Sequence, residues 1–163
     1  MKSVQYSNRV VFINFRLPGA SQGDPMKELV KEITVSWAHC DAAGIVFYPN
    51  FYIWFDQATE HLFANVSLSY EELEQEFNIS GMPLVDNGTN YTNACKLGTR
   101  LIMTSWVDEW AGKTFIVKHR VEHLKGKIAL EGFKRRVMVI KDPTSEWGIK
   151  AIDVPEEIRC RFF

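Results

Sequence analysis

The chain has 163 residues, 46% of them hydrophobic, and balances 19 basic against 20 acidic side chains for a formal net charge of -1. That length suits one domain with its own core, and the near-neutral balance, with a pI near 6.4, excludes the basic surplus of a nucleic-acid binder. Cys40, Cys95 and Cys160 lack metal-ligand spacing and read as free thiols, which predicts a reducing, cytoplasmic setting; no stretch approaches the roughly 20 apolar residues of a membrane span, and the N-terminus lacks the zones of a secretion signal.

In chain order, Val10 to Phe15 reads as a short strand, and Leu17 to Pro25 is rich in breakers. Residues 1–30 are therefore taken as an N-terminal appendage and residues 31–163 as the domain. Ile33, Val35 and Trp37 alternate with Thr34 and Ser36, a first core strand running to a turn at Asp41. From Pro49, residues Phe51, Trp54, Phe55, Ala58 and Leu62 recur at helical spacing, predicting one long helix to Ala64 with a broad aromatic face. Ser69 and Glu72 form a capping-box pattern for a second helix through Phe77. Beyond Pro83 the pattern turns to strands: Leu84 to Cys95, Arg100 to Trp110, Thr114 to Glu122, Lys127 to Ile140 and Lys150 to Val154. Their short, glycine-bearing separators favour antiparallel neighbours. The basic run Lys134-Arg135-Arg136 reads as a solvated strand face. The fold class is α+β, one long helix covering a curled antiparallel sheet of five or six strands.

Chemistry concentrates in Asp41-Ala42-Ala43-Gly44-Ile45-Val46-Phe47-Tyr48-Pro49. Gly44 permits a tight turn after the carboxylate, and Pro49 suits the first turn of a helix. The free N–H groups at that helix start form a positive end able to polarise a carbonyl oxygen. A carboxylate facing such donors is the skeleton of an acyl-transfer site, although an aspartate there could equally cap the helix or pair with a base. His39 and Cys40 do not make a thiol–imidazole pair, since neighbours on an extended chain point to opposite faces. His119 shares a strand face with Phe115, Val117 and Val121 and reads as a core histidine. Asp56 reads as structural, anchoring the turn after Asp41, and Glu60 as at most a secondary site residue.

Four separated blocks carry a resemblance: Cys40 to Phe51, Gly81-Met82-Pro83-Leu84-Val85, Glu109 to Phe115 with His119, and Ala151-Ile152-Asp153-Val154-Pro155. In this order they resemble the 4-hydroxybenzoyl-CoA thioesterase family, a branch of the hotdog-fold acyl-CoA thioesterases. The resemblance implies a hotdog fold and hydrolysis of an acyl-CoA thioester, aromatic acyl groups included, with no metal or organic cofactor beyond the coenzyme A of the substrate. It implies Asp41 as the catalytic carboxylate, attacking the thioester or activating water, the backbone N–H of Tyr48 as the polarising donor, and Gly44 as the turn between them. It implies Lys113 and Lys150 as partners of the coenzyme A phosphates; the candidates for shaping the acyl pocket are Trp54, Pro83, Phe51, Tyr70 and residues 86–89. Ala111, Gly112 and Gly148 depart from basic positions of the family, which leaves Arg135 and Arg136 as other phosphate partners. A homodimer or homotetramer with sites at the subunit interface is implied as well. The alternatives are a silent acyl-CoA-binding hotdog module and a hotdog enzyme of another class, such as an enoyl-CoA hydratase.

Overall fold

The structure, a computed structural model, describes residues 10–14 and 27–163; the breaker-rich stretch 17–25 lies outside them. Among the described residues, eight strands run β1 Val10–Asn14, β2 Lys27–Thr34, β3 Leu84–Tyr91, β4 Arg100–Ala111, β5 Thr114–His123, β6 Ile128–Val137, β7 Val139–Lys141 and β8 Ile149–Ala151. The α-helices among the described residues run α1 Pro49–Ala64, α2 Tyr70–Phe77 and α3 Glu156–Cys160. Six strands form one antiparallel sheet in the order β1-β2-β4-β5-β6-β3, and β7 pairs with β8 beside it. β1 adds to the sheet by pairing with β2, from Val10 opposite Lys31 to Asn14 opposite Lys27. Among the described residues no helix is long and apolar enough to cross a membrane.

Helix α1 lies where its apolar spacing predicts, burying Phe51, Trp54, Phe55, Ala58, Leu62 and Phe63. It packs on the inner face of the central strands, where Met103, Phe115, Val117 and Val121 are fully buried. Each such side chain contributes about 1.5–3 kcal/mol on leaving water. One glycine sets how closely helix and sheet approach. A Cβ on Gly132 would stand 2.7 Å from Phe55 Cε2, so the bare backbone of β6 is what lets Phe55 settle there. Helix α2 begins at the expected capping box: the Ser69 hydroxyl accepts the Glu72 N–H, and the Glu72 carboxylate accepts the Ser69 N–H at 2.8 Å.

Several expectations are corrected. The first domain strand starts at Lys27 and stops at Thr34. Ser36 then opens a short 3-10 turn, Trp37–His39, leaving Trp37 82% exposed rather than in the core. The last long strand breaks at Met138, whose N–H donates to Lys113 O and whose carbonyl accepts the Ile152 N–H. Most consequentially, the basic run of β6 is not a solvated face. Strand alternation turns Lys134 and Arg136 inward, to 2% and 8% exposure. There both ammonium and guanidinium meet the Asp56 carboxylate of α1, and they further donate to Tyr52 O at 2.9 Å and Met82 O at 2.8 Å. Asp56 thus ties α1 to β6 rather than anchoring the turn at Asp41. Burial lowers the Lys134 pKa while Asp56 opposes that shift. His119 is a core histidine as expected, 1% exposed, hydrogen-bonded through Nδ1 to Ser105 Oγ at 2.8 Å and stacked on Phe55 at 4.3 Å.

Candidate active site

The turn at Asp41 is built by its own backbone. The Asp41 N–H donates to Ile45 O at 2.9 Å, and the Gly44 N–H returns to Asp41 O at 3.0 Å. Gly44 closes this loop with a φ of +72°, in the left-handed region where glycine has no steric penalty. One carboxylate oxygen of Asp41 accepts the Ala43 N–H at 2.9 Å, which orients the side chain. The next residues are pinned on both sides: the Val46 N–H donates to Cys95 O at 2.8 Å, the Phe47 N–H to His39 O at 2.9 Å, and Asn50 Nδ2 to the same carbonyl at 3.0 Å. Tyr48 is the N-cap of α1 and Pro49 opens the helix. Among the described residues no backbone carbonyl accepts the Tyr48 N–H. It stands at the positive end of a 16-residue helix with its donor unengaged.

Asp41 and Tyr48 border one cleft of about 400 Å³. Its floor is Val46, Phe51 and Leu130, all buried. Its far wall is the chain leaving β3, Tyr91 to Cys95. The resulting arrangement, a carboxylate and a free helix-end donor over an apolar floor, can carry nucleophilic or general-base attack on a carbonyl while stabilising the oxyanion. In the single chain the mouth is open: Asp41 is exposed, and Phe47, Tyr48 and Tyr91 are each about half exposed. Two neighbours do not compete for the chemistry. Burial pushes the Cys95 thiol up to about 11, so it stays protonated at neutral pH. His39 accepts the Ser36 N–H through Nδ1 at 3.1 Å and packs edge-on to Trp54, and its partial burial lowers its pKa.

Of the expected site residues, the fold brings Asp41, Gly44 and Tyr48 together, with Phe51 beneath. Trp54 is 6% exposed and packs against Phe51 and His39, behind the cleft rather than in it. Pro83, Lys113 and Lys150 cluster at the other end of the sheet. The Val137 N–H donates to Pro83 O, the adjacent Met138 N–H donates to Lys113 O, and Lys150 sits opposite Ile140 on the β7–β8 hairpin. Strand β4 separates the two ends: Arg100 faces Thr34 near the Asp41 loop, and Ala111 faces Thr114 at the far turn. Twelve residues of strand span about 36 Å. Arg136 is engaged with Asp56 and Met82. Glu60 and Tyr70 border a separate cleft with Asp56, Arg136 and Leu84. Among the cleft residues that sequence reasoning missed is Tyr91, because a tyrosine at a strand end carries no spacing signal for a cleft formed with a turn 50 residues earlier.

The family model described as the thioesterase-like superfamily matches residues 35–162. The chain belongs to this superfamily. Among curated proteins it is similar to the 4-hydroxybenzoyl-CoA thioesterase of Pseudomonas sp. strain CBS-3, 24% identical over 136 residues that cover 80% of this chain and 94% of that one. A crystal structure of a 4-hydroxybenzoyl-CoA thioesterase mutant complexed with 4-hydroxybenzoyl CoA superposes with a TM-score of 0.75 at 23% identity, covering 83% of this chain and 99% of the other. A gentisyl-coenzyme A thioesterase superposes at 0.66 with 27% identity, covering 82% and 98%. The α+β hotdog fold and membership of the acyl-CoA thioesterases are those the sequence blocks imply. Among the described residues no group of three His, Cys, Asp or Glu side chains is placed to hold a metal ion.

Proposed function

We propose that this thioesterase hydrolyses aromatic acyl-CoA esters, with Asp41 as its catalytic carboxylate and the Tyr48 N–H as its oxyanion donor. The observation that carries the reading is the shared cleft, in which an exposed carboxylate and an unengaged helix-end N–H border one apolar floor. A flat ring suits the Phe51 and Leu130 surface, and 4-hydroxybenzoyl CoA is the ligand of one structural neighbour. Two routes balance. In one, Asp41 takes a proton from water, hydroxide adds to the carbonyl carbon, the oxyanion rests on the Tyr48 N–H, and collapse breaks the C–S bond to release CoA thiolate. In the other, an Asp41 oxygen adds directly, CoA leaves, and water cleaves the resulting anhydride. Neither calls for a cofactor.

The cleft is completed by a second copy of the chain in this reading. β3 pairs only with β6 in the sheet, and its outer edge is free among the described residues. A two-fold pairing of this edge with its copy runs antiparallel. It sets the Leu84 end of one β3, with Pro83 and Lys113 nearby, against the Tyr91 end of the other, beside Asp41. Lys113 and Lys150 thereby serve the coenzyme A phosphates of the partner's site. Free cysteines suit a cytoplasmic setting.

Asp41→Asn tests the assignment, because it keeps shape and removes the charge. Single-turnover CoA release is expected to fall at least a thousandfold, about 4 kcal/mol of barrier, with an unchanged Tm and little change in substrate affinity. Retention of more than about a tenth of wild-type turnover, under about 1.4 kcal/mol, would remove Asp41 from the mechanism. Solvent ¹⁸O appearing in Asp41 after one turnover identifies the anhydride route.

A further inference from the structure

The cleft beside Asp41 has unlike walls. Val46, Phe51 and Leu130 are apolar and buried. Opposite them, the chain leaving β3 presents Tyr91, Thr92 and Asn93. Asn93 is already engaged, since its Nδ2 donates to Ile128 O at 2.6 Å. Ala94 and the protonated Cys95 thiol complete this wall without a strong polar group. Apart from Asp41 and Tyr48 across the cleft border, polar recognition on this wall therefore falls to Tyr91 and Thr92. Of the two, Tyr91 also touches the apolar side, its ring lying 5.9 Å from that of Phe51 with 58° between the planes.

We infer that Tyr91 determines acyl-group selectivity, its ring forming the wall against which a flat acyl group lies and its hydroxyl meeting an oxygen substituent on that group. The inference rests on the acyl-CoA hydrolase reading above and goes beyond it by naming the selecting residue. Tyr91 is 48% exposed in the single chain and borders the cleft. Its hydroxyl sits beside the Tyr52 hydroxyl and Thr89 Oγ1, and burial together with the Tyr52 and Tyr48 phenols raises its pKa above 10, an effect that Thr89 opposes. Across the neutral range it is a proton donor. A donor of this kind discriminates by leaving an unmet hydrogen bond when the substrate lacks the matching oxygen. Tyr48 and Tyr52, packed edge-on at 6.5 Å, restrict the directions from which the phenol is approached.

The test compares wild type, Tyr91→Phe and Tyr91→Leu on 4-hydroxybenzoyl-CoA, benzoyl-CoA and hexanoyl-CoA, using the full chain and following thiol release. Tyr91→Phe is expected to lower the kcat/KM ratio of the hydroxylated over the plain aryl ester about tenfold. Tyr91→Leu is expected to lower the ratio of benzoyl over hexanoyl ester by a similar factor. These ratios cancel any general loss of folded enzyme. Both ratios staying within about twofold of wild type would overturn the inference. A wild-type enzyme silent on every ester would instead overturn the hydrolase reading. Tyr91 is then judged by equilibrium binding of 4-hydroxybenzoyl-CoA to Asp41→Asn with and without Tyr91→Phe. Binding about tenfold weaker in the double variant upholds the selecting role, and equal binding rejects it.

Discussion

His119 shows how much a single buried side chain commits the fold to one range of pH. Burial, reinforced by the nearby Lys134 and Arg136 charges, holds its imidazole well below the ordinary value of 6.5. The folded chain therefore keeps this ring neutral while the unfolded chain takes up a proton near 6.5. Because the unfolded state binds the extra proton, stability is fully present above that value and is lost as pH falls below it toward the depressed folded pKa. Tm is expected to decline between about pH 7 and pH 5 more steeply for wild type than for His119→Gln, whose amide cannot ionise. Parallel melting curves for the two proteins over that range would remove His119 as the source. The ring's place on the inner face was readable from its alternation with Phe115, Val117 and Val121. Its stacking on Phe55 was not, since it depends on Gly132 leaving room for the helix.

At the scale of elements, α1 was the most legible part of the chain. Pro49 marks its start and five apolar residues at helical spacing its buried face, and these signals lie within one continuous segment. The turn from Asp41 to Tyr48 was legible for the same reason. The burial of Lys134 and Arg136 was hidden because their common partner, Asp56, is nearly 80 residues away in sequence. The break after β6 was likewise set by distant carbonyls and amides, and α3 is too short, five residues, to carry a periodic signal. The α1–β6 tie makes a sharp expectation. Asp56→Ala leaves two buried cations without their carboxylate, and it should cost about 3 kcal/mol. That is the lower end for such a loss, since the Asp56 side chain is itself half exposed. Adding Lys134→Met should recover part of the loss, because one of the stranded charges is then gone. Chemical denaturation of the single and double variants checks both; additive losses would mean that the three side chains do not act as a unit.

For the whole molecule, the two rims of the sheet differ. Among the described residues, β3 offers an eight-residue edge with no neighbouring strand, while the opposite edge is β1, which pairs with five residues of the eight-residue β2. A sheet with a long rim on both sides can add neighbours without end, whereas one long rim meeting its own copy about a two-fold axis closes on itself. In the two-fold reading proposed above, β1 covers the β2 rim and is expected to act as a stop to growth, limiting the particle to a finite size. Light scattering on the full chain is expected to give a dimer or a closed multiple of it. Deleting residues 1–14 should leave the turnover of each Asp41 site intact while baring the β2 rim, so that mass rises with concentration into open-ended assemblies. A truncated chain that kept the full chain's mass at every concentration would show that growth is stopped elsewhere.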